Sequence, residues 1–328
     1  MSDRRTRRRA LQCTVLAFAC VLGSGQAADK PAQKAAAHSK STSEILAASK
    51  PTDWRPLDPE NTLYLELPSG RVVIELAPAF APLHADNIRT LVREKYFDGL
   101  AILRSQDNYV VQWGDPYEDE KTARPLGSAK KTLAPEFTAA INAKIPFTRL
   151  PDSDGYAPQV GFSQGFPVGR NPKTGQTWLT HCYGALGVAR GNEADSGNGS
   201  GLYVIIGNAP RHLDRNIAVV GRVVQGIEKL SVMPRGTGQL GFYEKPEQRT
   251  PISTIRLAAD VPDAERSKLE VLRTDSATFA AVAEARRNRH DDWYIAPAGH
   301  VDVCNVLIPV RPIADAATSG DGKAAAGK

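Results

Sequence analysis

The chain has 328 residues, 41% hydrophobic and 23% charged, an ordinary globular balance with room for one large domain and extensions. Its formal charge of +5 is concentrated at the start, where Arg4, Arg5, Arg7, Arg8 and Arg9 against Asp3 carry +4. The remainder is near neutral, which removes any electrostatic case for nucleic-acid binding, and after the first 27 residues no apolar run is long enough to span a membrane.

That basic start runs into an apolar stretch, Ala10–Gly23, and then small residues ending at Gly25-Gln26-Ala27. The pattern predicts a signal peptide over 1–27, cleaved before Ala28, and export of a soluble chain to a bacterial periplasm. Cys20 follows Leu16-Ala17-Phe18-Ala19, but the leucine sits one place early for a lipobox, so a lipid anchor there is the lesser reading. Cys13 and Cys20 leave with the signal. Cys182 and Cys304 remain in a compartment that permits disulfides, where a bridge and two separate buried thiols are both open.

Residues 28–56 are rich in Ala, Lys and Ser and read as a flexible linker. Leu63, Leu65 and Leu67 alternate, Ser69-Gly70 turns the chain, and Val72, Ile74 and Leu76 alternate again, predicting a hairpin with one buried face. Ala85, Ile88, Leu91, Val92 and Tyr96 then follow helical spacing. From Ala101 to Asp115 two apolar strands flank a polar turn at Ser105–Asn108, with Arg104 at the end of the first.

The order GRVVIELAPAFAPLHADNIRTLV and then YFDGLAILRSQDNYVVQWGD resembles the first half of a cyclophilin-type peptidyl-prolyl isomerase, whose second strand pair reads F-H-R-x-x-x-x-F-x-x-Q-G-G-D. Gly184–Arg190 resembles the family's G-x-L-x-M-A-N, and Asn198–Val204 resembles N-G-S-Q-F-F-I. Leu213-Asp214 followed by Val219–Val223 resembles L-D-x-x-x-V-F-G-x-V. The matched segments cover roughly 62–232. They imply a mainly β fold: a closed eight-stranded antiparallel barrel with two capping helices, here in a bacterial, exported member with a divergent site.

An isomerase of this kind needs no nucleophile, metal or cofactor; it must bind the twisted X–Pro amide better than either planar isomer. The resemblance assigns Arg104 as the catalytic guanidinium, donating to the proline nitrogen. It assigns Tyr109, Val110, Tyr203, Leu213 and Ile217 to the apolar cup, with His212 on its edge, and Gln112 to the substrate backbone and the arginine. Ala189 and Arg190 fall where the substrate chain is held. Leu103 and Ile217 replace two usual histidines, Trp113 a glycine, Gly201 a glutamine and His212 a tryptophan. A tyrosine for each cup phenylalanine adds two hydroxyls that need partners.

The resulting organisation is a barrel domain over 57–262 with a Gly- and Pro-rich insertion at about 138–178. A C-terminal extension over 263–312 is expected to pack on the barrel, and a disordered tail spans 313–328. Helices are predicted at 264–272 and 277–289, and strands at 293–295 and 301–310. The expected partners are unfolded proteins and proline-containing peptides, and the chain is expected to be a monomer. A non-catalytic chaperone or scaffold that holds such segments is the competing reading. His290, His300 and Cys304 match no metal spacing.

Overall fold

The alternating leucines produce the strand Thr62–Leu67, which pairs with Gly70–Leu76 in the register Leu63↔Ile74 and Leu65↔Val72. In the computed structural model, which describes residues 40–117, 121–289 and 294–313, this hairpin is one wall of a curled antiparallel sheet. The sheet runs 250–251, 101–105, 110–114, 202–205, 185–188, 219–225, 70–76, 62–67, 254–257. Its first and last members are two halves of one run: Thr250 pairs with Ile102, while Thr254 pairs with Glu66. Between them Ile252 N–H donates to Leu100 O and Ser253 N–H to Glu66 O. One bent strand thus covers both edges, leaving eight strands in a closed barrel.

Residues pointing inward bury completely: Leu65, Val72, Ile88, Leu91, Val111, Leu186 and Val220 join one core. Trp113 lies there too, at 0% exposure, filling the interior where the resemblance expects a glycine. The helix Pro82–Arg93 opens with proline at its first position, as its missing N–H and fixed φ favour, and closes one end with Ile88, Leu91 and Val92. The short helix Ile227–Ser231 closes the other with Leu230.

Outside the barrel lies a second core that sequence patterning did not reveal. The insertion forms a five-stranded antiparallel sheet in the order 139–140, 176–179, 166–171, 159–163, 148–150. A three-stranded sheet joins Trp54–Pro56 to Leu269–Leu272 and Val310–Pro312. The helices Thr42–Ala47 and Ala277–Arg287 pack together beside it. Trp54, Phe162, Trp178, Val271, Phe279, Val303 and Ile308 share one cluster, with Phe162 edge-on to Phe279 at 4.8 Å. N-terminal segment, insertion and extension are each too small to bury a core alone, and together they build one.

Several expectations change accordingly. The stretch 28–56 was expected to be a flexible linker, but its described part carries a capped helix and a strand, because Ile45, Leu46 and Trp54 have a surface to bury against. The helix predicted over 264–272 is a strand at Leu269–Leu272: pairing on both sides overrides the helical propensity of its Glu, Lys and Leu. Tyr294 and Ile295 are not in a strand, and 301–310 holds a 3₁₀ turn at Val303–Asn305, with strand beginning only at Val310. The predicted signal over 1–27 and the tail beyond Ile313 lie outside the described residues.

Cys182 and Cys304 are bridged, with Cα atoms 5.0 Å apart, joining the approach to a barrel strand to the C-terminal extension.

Candidate active site

Antiparallel register lines up the residues that the sequence singled out. Arg104 lies opposite Gln112, Gln112 opposite Tyr203, and Tyr203 opposite Gly187, in one row across four strands. A register shift between Ile102 and Arg104 aims the arginine side chain onto this outer face. Gly187 is needed where it stands: a Cβ there would come 2.2 Å from Tyr203 Cζ, so only glycine lets the ring lie flat on the sheet.

The Arg104 guanidinium donates from Nε to Leu240 O at 2.6 Å, from Nη1 to Gln112 Oε1 at 3.2 Å, and from Nη2 to Gln106 Oε1. All three acceptors are neutral, so the positive charge is held without a carboxylate. Three bonds use three of five N–H groups, leaving two without a partner among the described residues. The guanidinium also sits 5.4 Å from the ring centres of both Tyr109 and Phe242. Burial lowers its pKa, partly opposed by Tyr109. The turn that carries Tyr109 is pinned from below: Ile206 N–H donates to Tyr109 O and Asn208 N–H to Asn108 Oδ1.

Of the residues assigned to the cup, Tyr109, Val110, Tyr203 and Ile217 belong to one apolar cluster on this face, which Ala189 also joins. Val110 and Tyr203 form its buried floor, while Tyr109 and Ile217 are half-exposed. The insertion supplies the far wall, through Ile145, Phe147, Phe166 and Leu179. Leu213 is half-buried and outside that cluster, and His212 is exposed, both on the 3₁₀ turn Arg211–Leu213. Arg190 turns its guanidinium onto loop carbonyls, donating to Gly191 O and Asn192 O of its own loop and to Asn216 O of the loop after Arg211–Leu213. Gln112, Ala189 and Arg190 also line an adjoining polar cleft of about 790 Å³.

The Tyr203 hydroxyl finds the partner that its burial demands in His181. Tyr203 Oη lies 2.9 Å from His181 Nε2, and His181 Nδ1 lies 2.9 Å from Asp214 Oδ1. Asp214 can only accept, so Nδ1 carries the hydrogen and Nε2 accepts from the tyrosine. Arg211 then bridges Asp214 and Asp154, at 2.6 and 2.9 Å. Burial first, then Tyr109 and Asp214, push the Tyr203 pKa up, so its hydroxyl stays protonated and turned to His181 rather than to the cup. The cup floor stays apolar.

The insertion lies beside the groove, as its Gly- and Pro-rich composition suggests for a surface insertion, but sequence patterning does not mark His181, or Gln106, Leu240 and Phe242 beside Arg104. The one usable signal for His181 was the need of a tyrosine at a phenylalanine position for a partner. Leu240 takes a left-handed φ of +57°, a conformation that costs ~1–2 kcal/mol and presents its carbonyl to Arg104. No sequence pattern marks such a residue.

Replacing His181 by phenylalanine removes a bond to a buried carboxylate and strands the Tyr203 hydroxyl. The expected loss is roughly 2–5 kcal/mol, read as a lower urea midpoint, with Tyr203→Phe milder. An unchanged midpoint for His181→Phe excludes the network as a support of the site.

Acid should act through the same groups. Burial alone would raise the Asp214 carboxyl, but bonds from His181 and the charge of Arg211 outweigh it and hold the group below its usual 3.8. Glu136, likewise raised by burial, is held below its usual 4.5 by His84 and two backbone N–H groups. A depressed folded pKa contributes stability that is complete above the unfolded value and lost as pH falls through the folded one. Urea midpoints should therefore fall below about pH 4.5; a midpoint flat down to about pH 3 contradicts this.

Comparison with known proteins identifies the family and the fold. The family described as cyclophilin type peptidyl-prolyl cis-trans isomerase/CLD matches residues 62–257. A probable peptidyl-prolyl cis-trans isomerase of Brucella suis is 27% identical over 199 residues, covering 58% of this chain and 81% of its own. Peptidyl-prolyl cis-trans isomerase-like 1 of Homo sapiens is 24% identical over 218 residues, covering 66% and 99%. The crystal structure of the cyclophilin AquaCyp293 from Hirschia baltica superposes with a TM-score of 0.65 at 25% identity, covering 84% of this chain and 99% of that one. That likeness extends well past the barrel.

Proposed function

Because this chain belongs to the cyclophilin-type peptidyl-prolyl cis-trans isomerases, we propose that Arg104 is its catalytic group, acting on X–Pro bonds of exported proteins. The observation that supports this reading is a guanidinium that, among the described residues, has two spare donors and no carboxylate partner, set beside Tyr109 over an apolar cup. The barrier to rotation is amide resonance, about 18–20 kcal/mol. A donor to the proline nitrogen stabilises the pyramidal, single-bonded form found only midway through rotation, so binding favours the transition state. Gln112 holds the guanidinium in line and stands where it reaches the substrate backbone. Tyr109, Val110, Tyr203 and Ile217 seat the proline ring, and the preceding carbonyl turns above them. Proline-containing peptides and unfolded chains are the substrates that this cup fits.

Exchange spectroscopy on an X–Pro peptide tests the reading. Catalytic amounts of the chain should raise the exchange rate above the uncatalysed tens of seconds. Peptide binding without acceleration would instead identify a holding module.

Export is supported by the basic and apolar N-terminal stretch and by the Cys182–Cys304 bridge, which belongs to an oxidising compartment. The mature periplasmic protein should begin at Ala28, without a lipid on Cys20. Intact mass and N-terminal sequencing of the cell-fractionated protein check this; a chain starting at Met1 in the cytoplasm overturns it.

A further inference from the structure

Where the second core meets the barrel, a cavity of about 400 Å³ opens at the seam. Phe166 and Leu179 come from the insertion, Val219 and Val223 from the barrel, and Val306 and Ile308 from the extension, with the Cys182–Cys304 bridge in its wall. The lining is mainly apolar and the volume is in the range of small-molecule sites, ~300–1,000 Å³. One lining residue is out of keeping: Arg222, whose side chain is 13% exposed.

Arg222 is under-neutralised. Among the described residues its carboxylate partner is Glu75, 3.7 Å away, beyond hydrogen-bond distance, and that carboxylate is already paired with Arg55 at 2.6 Å. Among the described residues, Glu75 Oε2 and the fully covered Arg222 Nε and Nη2 atoms make no hydrogen bond, which leaves the accessible edge of the guanidinium to face the cavity. Two cations thus share one anion on a covered face of the barrel. Burial pushes the Arg222 pKa down to about 10, with Glu75 opposing and Arg55 adding to the shift. A buried charge left this way is unfavourable, and a further anion would offset that cost.

We propose that this cavity is a binding site for a small aliphatic carboxylate, its chain lying among Leu179, Val219, Val306 and Ile308 and its head against Arg222. Apolar walls select the chain, and the unmatched guanidinium selects the charge. Leu307, 59% exposed, lines the same cavity on its solvent side. The cavity shares Phe166 and Leu179 with the far wall of the cup, but neither Arg104 nor Tyr109 lines it, and the inference does not depend on the isomerase mechanism.

Calorimetric titration of the full, disulfide-bonded chain with decanoate, and in parallel with decan-1-ol, tests it. Saturable binding of one decanoate per chain is expected, at least tenfold tighter than the alcohol. Arg222→Met should abolish that preference while leaving alcohol binding in place. Leu307→Trp, a surface change that keeps the core intact, should weaken both ligands. Absence of saturable decanoate binding, equal affinity for acid and alcohol, or indifference to both substitutions overturns the proposal.

Discussion

Replacing Arg104 by alanine should reduce kcat/KM for an X–Pro peptide by about 10²–10³-fold, the loss that follows removal of one well-placed donor to a transition state. Affinity for the peptide should change far less, since Tyr109, Val110, Tyr203 and Ile217 remain to hold the ring. The fold should tolerate the change. The bonds lost run to a loop carbonyl and two side-chain amides, all on a half-exposed face, so the stability cost is about 1 kcal/mol. Arg104→Lys separates charge from geometry: an ammonium is a point charge without the planar fork, and it should recover only a small part of the rate. Rates from exchange spectroscopy, set beside urea midpoints, check all three forms. An alanine variant within threefold of the parent would remove Arg104 from the mechanism.

The second large effect concerns the bridge. Cys182 and Cys304 are 122 positions apart, and a crosslink closing such a loop stabilises by roughly 4–5 kcal/mol in the chain-entropy model. Replacing both by alanine should lower the unfolding midpoint by about 10–15 °C, at ~2–4 °C per kcal/mol for a domain of this size. The damage should be local at first. The extension is held to the barrel by the bridge and by apolar contacts such as Leu269 and Val310 beside Tyr64 and Val73. Without the bridge, limited proteolysis should cut the extension before the barrel, whose strands are paired around a complete ring. Because Phe147 and Phe166 of the insertion wall the cup, loosening the second core should also raise KM. A double variant that melts with the parent and resists protease equally would show the bridge to be idle.

What the sequence determined by itself is what rests on local alternation and motif order. The hairpin of Leu63, Leu65 and Leu67 with Val72, Ile74 and Leu76 formed as its period of two requires. Arg104, Gln112 and Tyr203 were legible because motif order placed them on strands whose pairing then aligned them in one row. Tertiary structure decided the rest. The strand at Leu269–Leu272 and the order in residues 42–56 exist only because partners distant in sequence supply the other side of a core, and no window of local sequence contains that information. The same holds for His181 under Tyr203 and for Arg222 beside its over-subscribed Glu75. Each is an unremarkable residue until packing removes water from around it, and only then does the cost of a bare hydroxyl or charge give it a role.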